Sequence, residues 1–273
     1  FEKSRVRPID EMADYLELFR PCPTTASAAG EASVFYLSSH RALANIRRFD
    51  PEAKIILMVR NPIDMYLSLH SQLYFTLDED IKDPLQAWSA RSSRQNRAKI
   101  PKTCRIPTVL NYRESCAIGG QVERALRHFP QEQIKIIVFD DFIADTPGVY
   151  RDVLNFLEVQ QDNRLDFPPV NRNKELRFRW LASLYHDRGI ARFLWRWAET
   201  VRVNRKIRYR PGISLIYSVF HGVYMALNTR VVKRSSVGGS LRARLSEAFE
   251  PDIEKLAGLL GRDLSCWSSH HSV

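Results

Sequence analysis

A chain of 273 residues with 44% hydrophobic content can bury the core of one large α/β domain, and its formal charge of +10 makes the surface basic. No apolar run reaches membrane-spanning length, and the seven histidines show no ligand spacing, which argues against a spanning helix and a histidine metal centre. Cys22, Cys104, Cys116 and Cys266 form no CxxC pair, so a structural metal site is not expected and a reducing compartment is. In chain order, the patterns predict helices at 10–19 and 39–48, a strand at 54–59, and helices at 62–75, 84–96 and 120–128. A strand at 134–139 and a helix at 146–157 follow. Strand and helix alternate, which predicts a parallel sheet. Beyond Pro169 the pattern turns mostly helical, with 176–186, 190–201, 213–227 and a terminal pair interrupted at Pro251. In that pair Leu241, Leu245, Phe249, Ile253, Leu256 and Leu260 recur at helical spacing, with Ser240 as cap and Gly261 as stop. No composition break marks a linker, so a single domain over 1–273 is expected, with 171–273 mostly helical.

The most informative stretch runs from Lys54 to Ser68. Ile55 to Val59 is a continuous apolar run, as for a parallel strand covered on both faces. Arg60 stands at its carboxyl end, where open α/β sheets bind ligands. Asn61 is a good N-cap, Pro62 suits the first helical position, and Asp64 can complete a capping box. Ser68 lies seven residues beyond the cap, which returns it to nearly the same azimuth about 10 Å along the axis. A guanidinium at the strand end and a hydroxyl two turns into the helix can grip one phosphate, the first through charge-assisted bonds.

Arg60-Asn-Pro-x-Asp-x-x-x-Ser68 after an apolar strand resembles the 3′-phosphate motif of sulfotransferases that use 3′-phosphoadenosine 5′-phosphosulfate (PAPS). Further blocks occur in that family's order: Gly30-Glu31-Ala-Ser33-Val-Phe-Tyr36-Leu37, Gln133 to Phe142, Val153 to Leu157, and Ile253 to Trp267. The last is common in bacterial and glycan-type members. The resemblance implies a P-loop-NTPase-like parallel sheet flanked by helices, PAPS as co-substrate without a metal, and transfer to a hydroxyl or amine of a carbohydrate or lipid-linked acceptor. It also implies an opening strand and a Lys-x-Gly-Thr/Ser-Thr loop around the 5′-phosphosulfate, and the sequence holds no such loop. Phe1-Glu2-Lys3-Ser4 resembles the segment that follows it, so the expectation is a sulfotransferase lacking its first structural unit and inactive as it stands.

By resemblance Arg172, Lys174 and Arg177, in the basic cluster after Pro168-Pro169, sit in the lid over the nucleotide; a solvated helix start is the plain alternative. By resemblance Glu31 and Ser33 lie on the acceptor side, with Glu31 a candidate base; loop residues with ordinary capping roles are the plain alternative. His70 is a weaker one, because two helical steps from Ser68 turn it about 200° away. The Asp140-Asp141 pair reads as structural. Between 200 and 246 stand ten basic residues and no acidic one, around the apolar 213–227 stretch, which suggests peripheral contact with a membrane or a lipid-linked acceptor, or a buried helix with solvated flanks. Fifteen helical residues reach about 22 Å, too short to span a bilayer. Aromatics do not interleave with the basic residues, so nucleic acid is not the expected partner. The cytoplasm is the expected location, with peripheral membrane contact and a Golgi-type lumen as alternatives. A P-loop kinase-like phosphotransferase and a non-catalytic nucleotide-binding module are the competing readings.

Overall fold

The computed structural model describes residues 12–96, 98–168, 173–187, 222–232 and 238–268. The predicted 190–201 helix and most of 213–227 lie outside these residues, as does Arg172. Two strands, β1 (Ile55–Val59) and β2 (Ile134–Val138), pair in parallel with Ile55 opposite Ile134 and Val59 opposite Val138. Around them run α1 (Met12–Glu17), α2 (Ala42–Phe49), α3 (Pro62–Phe75), α4 (Pro84–Ser89), α5 (Arg91–Gln95), α6 (Tyr112–Ser115) and α7 (Ile118–His128). After β2 come α8 (Phe139–Ala144), α9 (Thr146–Leu157), β3 (Lys174–Leu176), α10 (Arg179–Asp187), β4 (Thr229–Val231) and α11 (Gly239–Leu260). β3 and β4 form a separate antiparallel pair.

The parallel pair and its helices make a P-loop-like α/β fold, as the strand and helix alternation predicts. The core joins Val59, Ile63, Tyr66, Trp88, Tyr112 and Val122 to Leu245, Phe249, Ile253 and Leu256 of α11, so the end of the chain packs on its middle. The helix bounds 62–75 and 146–157 fall where the sequence puts them, both started by a side-chain cap followed closely by proline: Asn61 accepts from the Ile63 N–H, and Asp145 from that of Gly148.

Several expectations are corrected. Among the described residues β1 is covered on one face: Leu57 and Val59 are buried, whereas Ile56 and Met58 are 41% and 47% exposed. The predicted 134–139 strand stops at Val138, because Phe139 already begins α8. The predicted 84–96 helix breaks at Ala90 into α4 and α5, and the helix expected at 120–128 starts two residues earlier at Ile118. Lys174 to Leu176 is a strand rather than a helix start, since it pairs with Thr229 to Val231. The terminal helix is continuous through Pro251, and Gly238 rather than Ser240 stands at its cap position. An internal proline removes one ladder bond and costs about 3 kcal/mol, an amount that the five buried side chains from Leu241 to Leu256 outweigh at about 1.5–3 kcal/mol each. Gly261 ends the helix at φ +59, the left-handed stop that the sequence suggested.

Candidate functional site

The turn from β1 into α3 is fixed from two sides. Asn61 accepts from the Ile63 N–H at 2.9 Å, and its own amide donates to the Trp267 carbonyl at 3.2 Å. Trp267 in turn donates its indole N–H to Asp140 at 2.8 Å, while Arg262 pairs with Asp141 through both guanidinium arms. The two aspartates after β2 therefore tie the end of the chain to the sheet, the structural role read for them. This bracing holds Arg60 at the carboxyl end of β1, where its guanidinium lies 4.7 Å from the Phe139 ring centroid. Asp64 stands 3.9 Å from Arg60, an ion pair rather than the reach back to the cap expected of it. That distance is beyond hydrogen-bonding range, so the Arg60 fork forms no hydrogen bond among the described residues. Ser68, half-buried on α3, likewise has no hydrogen-bond partner for its hydroxyl among them. A charged fork at the strand mouth, and a hydroxyl two turns along the helix that leaves it, both with open bonding capacity among the described residues, suit the grip on a phosphate expected of them.

The basic segment is fastened beside this helix. Asn173 accepts from the Ser71 hydroxyl at 2.9 Å, and β3 packs against α3. Arg179 donates to the Tyr74 carbonyl at 2.6 Å and the Glu79 carbonyl at 2.5 Å, with its guanidinium 3.9 Å from the Tyr74 ring centroid. A cation at the last turn of α3 complements the helix dipole there. Since Ser71 is one turn beyond Ser68, the tether brings Lys174 to the helix that carries Ser68, with the Lys174 and Arg177 side chains exposed. Asn228 closes the segment by accepting from the Arg177 and Phe178 N–H groups, each at 2.8 Å.

Neither candidate base joins Arg60 and Ser68. His70 is buried among Tyr66, Tyr74 and Tyr112, and its Nε2 donates to the Ile81 carbonyl at 2.9 Å. Burial lowers its pKa more than that bond raises it, which leaves a neutral ring used for packing. Glu31 is exposed and accepts from Tyr36, with the Tyr15 hydroxyl at 3.5 Å. Burial and this carboxylate push the Tyr36 phenol up to about 12.

Neither the tethers Asn173 and Arg179 nor the buried cluster under α3 left a local signal in the sequence. There Glu79 accepts from Arg94 at 2.6 and 2.7 Å and from Tyr112 at 2.6 Å, while Asp78 takes the Arg105 N–H at 2.8 Å and its guanidinium at 2.6 Å. Leu77-Asp78-Glu79-Asp80 reads as a solvated acidic loop, and only the three-dimensional arrangement shows two of its carboxylates turned inward.

The family model described as Sulfotransferase domain matches residues 8–167. Among solved structures, the crystal structure of a sulfotransferase from Alicyclobacillus acidocaldarius is similar in fold, with a TM-score of 0.63 at 24% identity, over 96% of this chain and 75% of that one. No curated protein matches. A family match across more than half of the sequence, with the braced β1–α3 turn inside it, means that the chain belongs to the sulfotransferase family.

Proposed function

We propose that the chain binds the 3′-phosphate of PAPS through Arg60 and Ser68, and that it serves sulfuryl transfer to a hydroxyl or amine of a carbohydrate or lipid-linked acceptor. The observation that carries this reading is the unspent hydrogen-bonding capacity of the Arg60 fork at a strand mouth braced by Asn61 and Trp267. PAPS itself supplies the activated sulfuryl group. Arg60 and Ser68 anchor its far phosphate and so set the donor's position, while the exposed Lys174 and Arg177 add positive charge from the tethered segment. Calorimetric titration with adenosine 3′,5′-bisphosphate tests the reading. Arg60→Ala should weaken binding at least tenfold, as expected from a charge-assisted contact worth about 1.5–3 kcal/mol, with the unfolding midpoint kept. Equal affinities would remove the assignment.

A further inference from the structure

The register of the parallel pair brings Arg60 to an aromatic ring. β1 and β2 run in step from Ile55 opposite Ile134 to Val59 opposite Val138, so the residues that follow them, Arg60 and Phe139, leave the sheet side by side. The Arg60 guanidinium lies over the Phe139 ring, 4.7 Å from its centroid. Phe139 is half-buried at the start of α8 and stacks on Phe142, with the centroids 6.2 Å apart and the planes at 29°. The next two residues are tied to the end of the chain, Asp140 by the Trp267 indole at 2.8 Å and Asp141 by Arg262 at 2.9 Å. The ring therefore stands on a fixed base.

The N–H groups set Arg60 apart from the other described arginines that meet a ring. Arg47 donates to Gln133, Arg91 to the Trp88 carbonyl, Arg94 to Glu79, Arg164 to the Asp166 carbonyl and Arg179 to the Tyr74 carbonyl. Each of these is fixed by an oxygen as well as by its ring. Arg60 forms no hydrogen bond among the described residues, and Asp64, at 3.9 Å, is too far to accept one. An aromatic face attracts a cation without taking up its N–H donors as an oxygen does. The stack thus restrains the guanidinium and leaves its fork open. A long side chain loses rotamer freedom when it grips a ligand, and a partner that orders it beforehand removes part of that loss.

We propose that Phe139 is a positioning residue for the anion site: its ring orders the Arg60 guanidinium before the ligand arrives and so strengthens the grip on a phosphate that Phe139 does not itself touch. The proposal rests on the nucleotide reading of Arg60, and the test separates the two. Adenosine 3′,5′-bisphosphate is titrated calorimetrically into the wild type, Phe139→Leu, Phe139→Tyr, Arg60→Ala and the Arg60→Ala, Phe139→Leu double variant. It is also titrated into Phe139→pentafluorophenylalanine, which keeps the shape of the ring while withdrawing charge from its face, and which decides the matter if Phe139→Leu does not fold. The expected result is affinity about three- to tenfold weaker with leucine or the fluorinated ring and unchanged with tyrosine. Once Arg60→Ala is in place, Phe139→Leu should cause no further loss. A ring that only packs would give an equal loss in both backgrounds and wild-type affinity with the fluorinated ring, and either result would overturn the role. So would wild-type affinity in Phe139→Leu beside weakened binding in Arg60→Ala, which leaves the nucleotide reading intact. Unweakened binding in Arg60→Ala would overturn the nucleotide reading and the role of Phe139 together.

Discussion

Glu79 shows how one buried carboxylate can decide the stability of a site it does not enter. It is wholly buried, takes both arms of Arg94 and the Tyr112 hydroxyl, and accepts from the Asp80 and Ile81 N–H groups at 2.9 Å. Removing its charge leaves Arg94 buried without a counter-ion, a change that costs about 3–5 kcal/mol. Glu79→Gln should therefore lower the unfolding free energy from urea denaturation by that amount, with the bisphosphate affinity of the remaining folded protein close to wild type. The pH dependence has a definite sign. Burial pushes the Asp78 and Glu79 carboxyls up, but bonds from Arg105 and Thr76 to the first, and from Arg94 and Tyr112 to the second, outweigh it and hold both below their ordinary values. Their contribution is present above the usual carboxylate range and is lost as pH falls through the depressed native values. Equilibrium unfolding should show an acid limb beginning near pH 4 in the wild type, smaller in Glu79→Gln.

At the scale of elements, the join between α7 and α11 depends on a glycine. The Asp252 carboxylate accepts from the Gly119 and Gly120 N–H groups at 2.8 and 2.9 Å, so a side chain from α11 caps the start of α7. A Cβ on Gly119 would lie 2.2 Å from the Asp252 backbone carbonyl, against 3.7 Å from its carboxylate for one on Gly120. Gly119→Ala should cost about 1–3 kcal/mol or more and Gly120→Ala little, a contrast that paired thermal melts will measure. This join was invisible in the sequence. Helix α3 was fully legible, because Asn61-Pro62 and the apolar run before it are local signals. The helix expected at 176–186 forms from Arg179, and the strand before it at Lys174 to Leu176 was missed for the opposite reason: its partner lies about 55 residues away, at Val231 to Thr229, and no pattern within the 171–179 window encodes that pairing. The double-sided burial of β1 was misread because a continuous apolar run fixes a strand but not what covers each face.

Over the whole molecule the positive excess is uneven. From 200 to 246 there are ten basic residues and no acidic one. Within this stretch Val223 and Leu227, one helical turn apart, are 53% and 66% exposed beside Arg230, and no described helix is long and apolar enough to cross a membrane. The peripheral-contact proposal predicts co-sedimentation with anionic vesicles at low salt that weakens as salt rises and is lost in the Val223→Asp, Leu227→Asp double variant; protein that stays in the supernatant at low salt would refute it. The brace on the β1–α3 turn bears on how the protein is made. Asn61 leans on Trp267 across 206 residues of sequence, and Trp267 on Asp140 across 127. During synthesis β1 and α3 leave the ribosome long before the residue that locks the turn between them. Until Trp267 has been made and has folded back, Arg60 stands on a turn that only the Asn61 cap holds, so this turn takes its final form late in folding.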